Sequence, residues 1–137
     1  MCIRDRLFTR FENAFSDAKG ADKIRLAASW LFDSYANTDD LLNFVQATIV
    51  LEILLGENEQ DNVIGLSELM SNRCAYLIGK SQIEREEIKK KFKEIYRVRS
   101  NIVHRGKVNL DSKERFLFIE LQQICNRVIA EEMKSIR

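Results

Sequence analysis

The most strongly patterned part of the chain is residues 81–106, SQIEREEIKKKFKEIYRVRSNIVHRG. Its apolar residues recur at i, i+4 and i+7: Ile88, Phe92 and Ile95. This spacing places them on one stripe of an α-helix with about 3.6 residues per turn. Ser81 and Glu84 have the spacing of a capping box, which marks a helix start, and Gly106 is typical of a helix end. The stretch therefore predicts one long, basic, amphipathic helix.

Amphipathic patterns of the same kind come before this helix. A first helix is predicted to stop near Gly20, and its apolar residues are Leu7, Phe8, Phe11, Ala14 and Phe15. Asp22 can cap a second helix. The buried stripe of that helix comprises Ile24, Ala27, Ala28, Leu31 and Tyr35, with Trp30 beside it. Neither helix carries a functional motif.

Two further helices are predicted before residue 81. One begins at Thr38 or Asp39 and is closed by Gly56. The polar stretch from Glu57 to Gly65 predicts a surface loop. The next helix ends at Gly79, and its stripe comprises Leu66, Leu69, Met70, Arg73 and Leu77.

A last helix is predicted after Gly106. Asp111 and Glu114 give it a capping-box start. Its apolar residues are Phe116, Ile119, Ile124, Val128 and Ile129. The pattern continues to the end of the chain.

Composition fits a helical protein. The chain has 137 residues, 45% of them hydrophobic and 31% charged, and no proline. This length corresponds to one domain, so we predict an all-α, single-domain bundle of five to six helices over residues 7–137. Residues 1–6 join the first helical pattern without a cap or turn, and we interpret them as a fragment boundary or a non-native leader.

The sequence lacks the residue patterns that metal and cofactor binding require. The three cysteines, Cys2, Cys74 and Cys125, are far apart, which favours a reducing cytoplasm without disulfides. One histidine and no cysteine pair leave too few ligands for a metal. There is no phosphate-binding glycine loop and no Gly-x-Ser-x-Gly elbow. We therefore expect no metal and no cofactor.

No segment predicts a membrane span. The longest apolar run, Leu41 to Leu55, is interrupted by Asn43, Gln46 and Glu52. We expect a soluble protein without a membrane partner.

Charge is unevenly distributed. Residues 33–72 contain eight acidic residues and no Lys or Arg, whereas residues 85–107 contain nine Lys and Arg against three Glu. One side of the molecule should therefore attract polyanions.

Basic residues follow one ridge of the basic helix. Arg85, Lys89, Lys93 and Arg97 repeat at intervals of four. A solvated helix face is the simplest interpretation. The alternative is a track for a phosphate backbone that runs toward His104.

Arg99 is the residue that most needs an explanation. It falls on the apolar stripe after Ile95, and a guanidinium keeps its charge at any ordinary pH. It must therefore meet a carboxylate, a subunit interface or an anionic ligand. His104 lies about 140° further around an ideal helix, so both share a face only if the helix widens or ends between them.

Glu52 and Arg73 also lie on apolar stripes and need partners. One interpretation is a structural ion pair between them. The other is that Glu52 faces Arg99 and orients it.

The order of these residues resembles the HEPN family, in its ApeA-like subgroup. That family's signature is an Arg, an adjacent polar residue and a His, with four to six residues between the Arg and the His. Arg99, Ser100 and His104 match it, with four residues between Arg99 and His104. The similarity covers roughly residues 40–130. It includes Leu51-Glu52 with Leu54-Leu55-Gly56, then Arg73-Cys-Ala75-Tyr-Leu77, and then Tyr96-Arg-Val-Arg99-Ser100-Asn-Ile-Val103-His104.

The resemblance implies a metal-independent endoribonuclease that acts as a homodimer on RNA. Arg99, Ser100 and His104 would be catalytic. The basic ridge found from the spacing of charges would then bind the RNA, through Arg85, Lys89, Lys93 and Arg97 together with Arg105. Glu52, Arg73 and Asn101 would support the site. The implied setting is cytoplasmic, in bacterial antiviral defence or toxin-mediated growth arrest. An antitoxin or an N-terminal sensor domain would be a further partner.

Two other functions stay open. One is a non-catalytic HEPN-like module that binds RNA, a nucleotide or a partner protein. The other is a structural dimerisation domain.

Overall fold

The computed structural model describes residues 20–56 and 63–135, and the ordered elements there are five α-helices. They are α1 (Ala21–Ala36), α2 (Asp40–Leu55), α3 (Val63–Ile78), α4 (Gln82–His104) and α5 (Ser112–Lys134). The predicted all-α bundle is confirmed. The helix predicted from Leu7 to Gly20 and the interpretation of residues 1–6 lie outside the described residues.

Three helices are capped at their N-termini by a local side chain: Asp39, Ser81 or Asp111. Asp39 accepts hydrogen bonds from the backbone of Leu41 and Leu42 at 3.0 and 3.3 Å, as predicted for the cap of α2. Asp111 and Glu114 form the complete predicted capping box of α5. Each such cap stabilises a helix by about 1 kcal/mol.

The start of α4 differs in one detail from its prediction. Ser81 accepts a hydrogen bond from the Glu84 backbone at 3.1 Å, but the Glu84 carboxylate accepts from the Lys80 backbone at 2.8 Å instead of returning to Ser81. That bond is the main reason why the pKa of Glu84 is lowered. The Glu84 side chain thus binds the backbone N–H one residue before the one that a capping box uses.

Two other boundary predictions were wrong. The cap of α1 is Gly20, in a left-handed conformation with φ 93°, and Asp22 lies in the first turn, where it pairs with Arg25. Helix α3 begins at Val63, so residues 63–65 of the predicted loop are helical. Residues 57–62 lie outside the described part of the chain.

Helix α4 ends as the sequence indicates. Gly106 has φ 64°, a left-handed conformation that suits glycine. The backbones of Arg105 and Lys107 both donate to the Asn101 carbonyl, at 3.1 and 3.3 Å. The helix neither ends nor widens between Arg99 and His104.

Helix α2 lies at the centre and contacts the four other described helices. Its Phe44 and Leu51 are fully buried and belong to one core cluster with Phe92 and Ile95 of α4 and Leu121 of α5. Burying one such side chain contributes about 1.5–3 kcal/mol. None of the described helices is long and apolar enough to cross a membrane.

The apolar residues predicted for α5 are buried at Ile124, Val128 and Ile129, but not at the first two positions. Phe116 and Ile119 are 63% and 52% exposed, while Leu117 and Leu121 are buried. Leu117, Leu121, Ile124 and Val128 follow a helical period on one face, so the stripe starts one residue later than predicted. Tyr35, predicted to be buried on α1, is also exposed.

Helices α3, α4 and α5 are consecutive and pack side by side. Ion pairs tie α4 and the following loop to α5: Lys91 with Glu120, Lys107 with Glu114 and Arg127 with Glu84. Partly exposed pairs of this kind contribute about 0–1 kcal/mol each. The basic helix is therefore flanked on both sides and backed by α2, which leaves one face open.

Candidate functional site

Arg99 meets a carboxylate inside the bundle. Its Nε lies 3.1 Å from Glu52 Oε2, and both side chains are less than one-third exposed. The N–H is not directed at that oxygen, since Nε has no hydrogen-bond acceptor among the described residues. The contact is thus an ion pair without a hydrogen bond.

Tyr96 completes the cluster around Glu52. Its hydroxyl donates to the same Oε2 at 3.2 Å, and its ring lies 5.9 Å from the Arg99 guanidinium. The ring also stacks on Phe92, with centroids 4.9 Å apart. Burial raises the pKa of the Tyr96 phenol well above its usual range, and the Glu52 carboxylate adds to the rise. Tyr96 therefore remains a hydrogen-bond donor that holds Glu52.

The pairing of Glu52 with Arg99 agrees with the second interpretation of the sequence. Arg73 donates from Nη1 to the Leu55 carbonyl at 2.8 Å and so binds the end of α2. Tyr96 was not predicted as part of the cluster. Its position three residues before Arg99, on the same side of the helix, was the available signal.

His104 lies on a different face from Arg99. It is the last residue of α4 and is exposed. Because the helix is regular between them, the two side chains point about 140° apart. Ser100 and Arg97, four and seven residues before His104, share its side of the helix and are also exposed. One chain therefore does not bring the guanidinium of Arg99 and the imidazole of His104 together.

The predicted RNA-binding residues do not form one continuous exposed ridge. Lys93, Arg97 and Arg105 are exposed, and Lys89 is half-buried. Arg85 instead packs against α3, with its guanidinium 5.3 Å from the ring centre of Tyr76 and its Nε buried. Asn101 is half-buried, and its carbonyl caps the end of α4.

A polar groove of about 480 Å³ separates α3 from α4. The wall from α3 contains Ser67, Glu68, Ser71 and Asn72. The wall from α4 contains Glu86, Lys89, Lys90, Phe92 and Lys93. No local sequence pattern indicates this groove, because its walls are about twenty residues apart in the chain. Three lysines make it the most basic of the described cavities.

The described residues contain no cluster of three or more His, Cys, Asp and Glu side chains that could hold a metal ion. Cys74 and Cys125 are buried free thiols in the core. Burial raises the pKa of Cys74 to about 12 and also raises that of Cys125. Cys125 donates from Sγ to the Ala47 carbonyl at 3.3 Å. Both thiols are therefore buried and protonated, as is typical of cysteines that contribute to packing.

Comparisons with known protein families, with curated protein sequences and with solved structures give no match.

Proposed function

We propose that this chain is a metal-independent endoribonuclease of the HEPN type, with a site formed between two copies. The observation that carries the proposal is Arg99, an arginine with a buried Nε held by Glu52 beside the end of a basic helix. An arginine fixed in this way is prepared to stabilise charge on a phosphate. The resemblance to HEPN domains supports the same assignment.

The reaction uses the ribose itself as the nucleophile. His104 accepts the proton of the 2′-hydroxyl, whose oxygen attacks the adjacent phosphorus, and the bond to the 5′-oxygen breaks. Arg99 stabilises the charge on the phosphoryl oxygens, and Ser100 donates a hydrogen bond to one of them. The departing 5′-oxygen takes up a proton from water, and His104 returns its proton to the solvent, which leaves a 2′,3′-cyclic phosphate and a 5′-hydroxyl. DNA lacks the nucleophile and is not cut.

Two copies are required because Arg99 and His104 diverge within one chain. In the proposed dimer, His104 of one copy approaches Arg99 of the other. Val103 and Val108, on either side of His104 in the chain, are 49% and 78% exposed and supply apolar surface for such a contact. The setting that the resemblance implies, cytoplasmic antiviral defence or growth arrest with an antitoxin or sensor domain, belongs to this proposal.

A non-catalytic RNA-binding module is the second candidate. It is favoured by the divergence of Arg99 and His104, since a binding surface does not need them to converge. In that case the exposed residues on the His104 side of α4 contact phosphates, and Arg99 is structural.

The test is cleavage of end-labelled RNA in excess EDTA by the wild type and by His104→Ala, with circular dichroism to establish equal helicity. The nuclease proposal expects the wild type to cut and the folded variant to lose cutting. If neither protein cuts but both bind RNA, the binding module is the better assignment. Cutting that persists in His104→Ala rules out His104 as the base.

A further inference from the structure

Tyr76 is an exposed aromatic residue on α3, the helix that supplies one wall of the polar groove. It is 68% exposed, although Ala75 before it is buried and Leu77 after it is partly buried. It lies one helical turn beyond Asn72, which lines the groove between α3 and α4. Its ring is therefore open to solvent, one helical turn from a groove that carries three lysines.

The ring is held in place by Arg85. The guanidinium lies 5.3 Å from the Tyr76 ring centre, and such cation–π contacts fix ring orientation. Gly79 makes the close approach possible, because a Cβ there would lie 2.6 Å from Arg85 Cγ. Arg85 is therefore committed to the ring, and most of Tyr76 remains accessible.

The groove next to this pair has the polarity of a phosphate site. Lys89 lies one helical turn after Arg85 and lines the groove together with Lys90 and Lys93. Glu68 and Glu86 also line the groove, and Glu86 lies 4.0 Å from Lys89, so the excess of positive charge is small. Charge alone would bind a polyanion weakly, and stacking must supply a large part of the affinity.

We propose that Tyr76, held by Arg85, is a stacking platform for a nucleobase of single-stranded RNA whose phosphates follow the lysines of the groove between α3 and α4. Every base offers a π-face, so the platform accepts any sequence. Paired bases are hidden inside a duplex, so the platform selects unpaired RNA. This inference rests on the proposed function, because it assigns the substrate class to the same protein.

The binding experiment uses full-length His104→Ala protein, so that RNA is not consumed, and an end-labelled, unstructured RNA of twelve nucleotides at low salt. Tyr76→Ala in this background should weaken binding about tenfold or more, the usual effect of losing one stacked base. Tyr76→Phe keeps the ring and should restore most of the affinity. Tyr35→Ala removes another exposed tyrosine, 55% exposed on α1, and should bind like the parent.

A second arm tests the lysines. Lys93→Ala should reduce the slope of log Kd against log salt concentration by about 0.7, the value for one phosphate contact with a single strand. Tyr76→Ala should leave that slope unchanged. A duplex of the same sequence should bind the Tyr76→Ala and parent proteins equally.

The outcomes separate this inference from the proposed function. If wild-type protein cuts RNA, but Tyr76→Ala binds RNA like the parent in the His104→Ala background and cuts RNA like wild type when His104 is intact, the platform is wrong and the nuclease stands. If the parent does not bind RNA at low salt, both fail. Equal loss of affinity for duplex and single strand also overturns the platform, since stacking requires an unpaired base.

Discussion

Glu52 on α2 and Arg99 on α4 form a partly exposed ion pair between the two helices, with Oε2 and Nε 3.1 Å apart. The same carboxylate oxygen accepts a hydrogen bond from Tyr96. Glu52 is thus fixed from one side and restrains Arg99 from the other. The guanidinium enters the pair by its Nε, so the two Nη groups are the ones that can meet a phosphate.

Glu52→Gln tests whether this pair orients Arg99 for catalysis. The amide fills the same space without the charge, so Arg99 loses its fixed position. We expect the single-turnover cleavage rate to fall about tenfold or more, because small misplacements of a catalytic group can cost up to about 100-fold. The free energy of unfolding should fall by no more than about 1 kcal/mol, because the pair is partly exposed.

Glu131→Gln is the matched control, since Glu131 pairs with Lys134 within the last turns of α5. It should leave both the rate and the stability unchanged. A Glu52→Gln protein that is unfolded, or that cuts at the wild-type rate, would show that Glu52 is only structural.

The buried thiols predict a loss of stability at high pH. The pKa of Cys74 is raised from 9.0 to about 12 in the folded chain, and that of Cys125 is raised as well, chiefly by burial. Above pH 9 the unfolded chain releases thiol protons that the folded chain retains, so the unfolded state is favoured. The thiols' contribution to the free energy of unfolding should be fully present below pH 9. It should fall by about 1.4 kcal/mol per pH unit for each thiol as pH rises toward 12.

Urea unfolding under reducing conditions between pH 7 and 11 measures this slope. A Cys74→Ala, Cys125→Ala double variant should be less stable at pH 7 because of the lost packing, but its stability should decline less above pH 9. An identical decline in both proteins would assign the effect to other groups.

The register of α5 predicts that two neighbouring residues contribute very differently to stability. Leu117 is 6% exposed and Phe116 is 63% exposed. Leu117→Ala should destabilise the protein by about 2–5 kcal/mol, because it leaves a cavity in the core. Phe116→Ala should change stability by less than about 0.5 kcal/mol. Chemical denaturation of both variants checks the register, and a larger effect at Phe116 would contradict it.

Helix positions could be predicted from the sequence where the signal is local. Asp39 and Asp111 cap helices through their own next turn, so a four-residue pattern is sufficient. The face of α5 was harder, because Phe116 and Ile119 give an apolar stripe that competes with the one starting at Leu117. Only packing against the other helices selects between two such faces.

The site was predictable only in part. Apolar stripes showed that Glu52, Arg73 and Arg99 each need a partner, but pairing depends on how α2, α3 and α4 are arranged. The side of α4 that His104 occupies follows from helix geometry alone. The groove and the Tyr76–Arg85 contact could not be anticipated, because they join residues on two helices without a shared motif.

The most direct test of a site between two copies is complementation. Differently tagged Arg99→Ala and His104→Ala chains would be co-expressed, the mixed pairs purified through both tags, and RNA cleavage measured in excess EDTA. Each variant alone should be inactive, and the mixed pair should cut, because one of its two sites combines an intact Arg99 with an intact His104 from the other chain. A mixed pair as inactive as either variant, beside an active wild type, would contradict a site shared between copies.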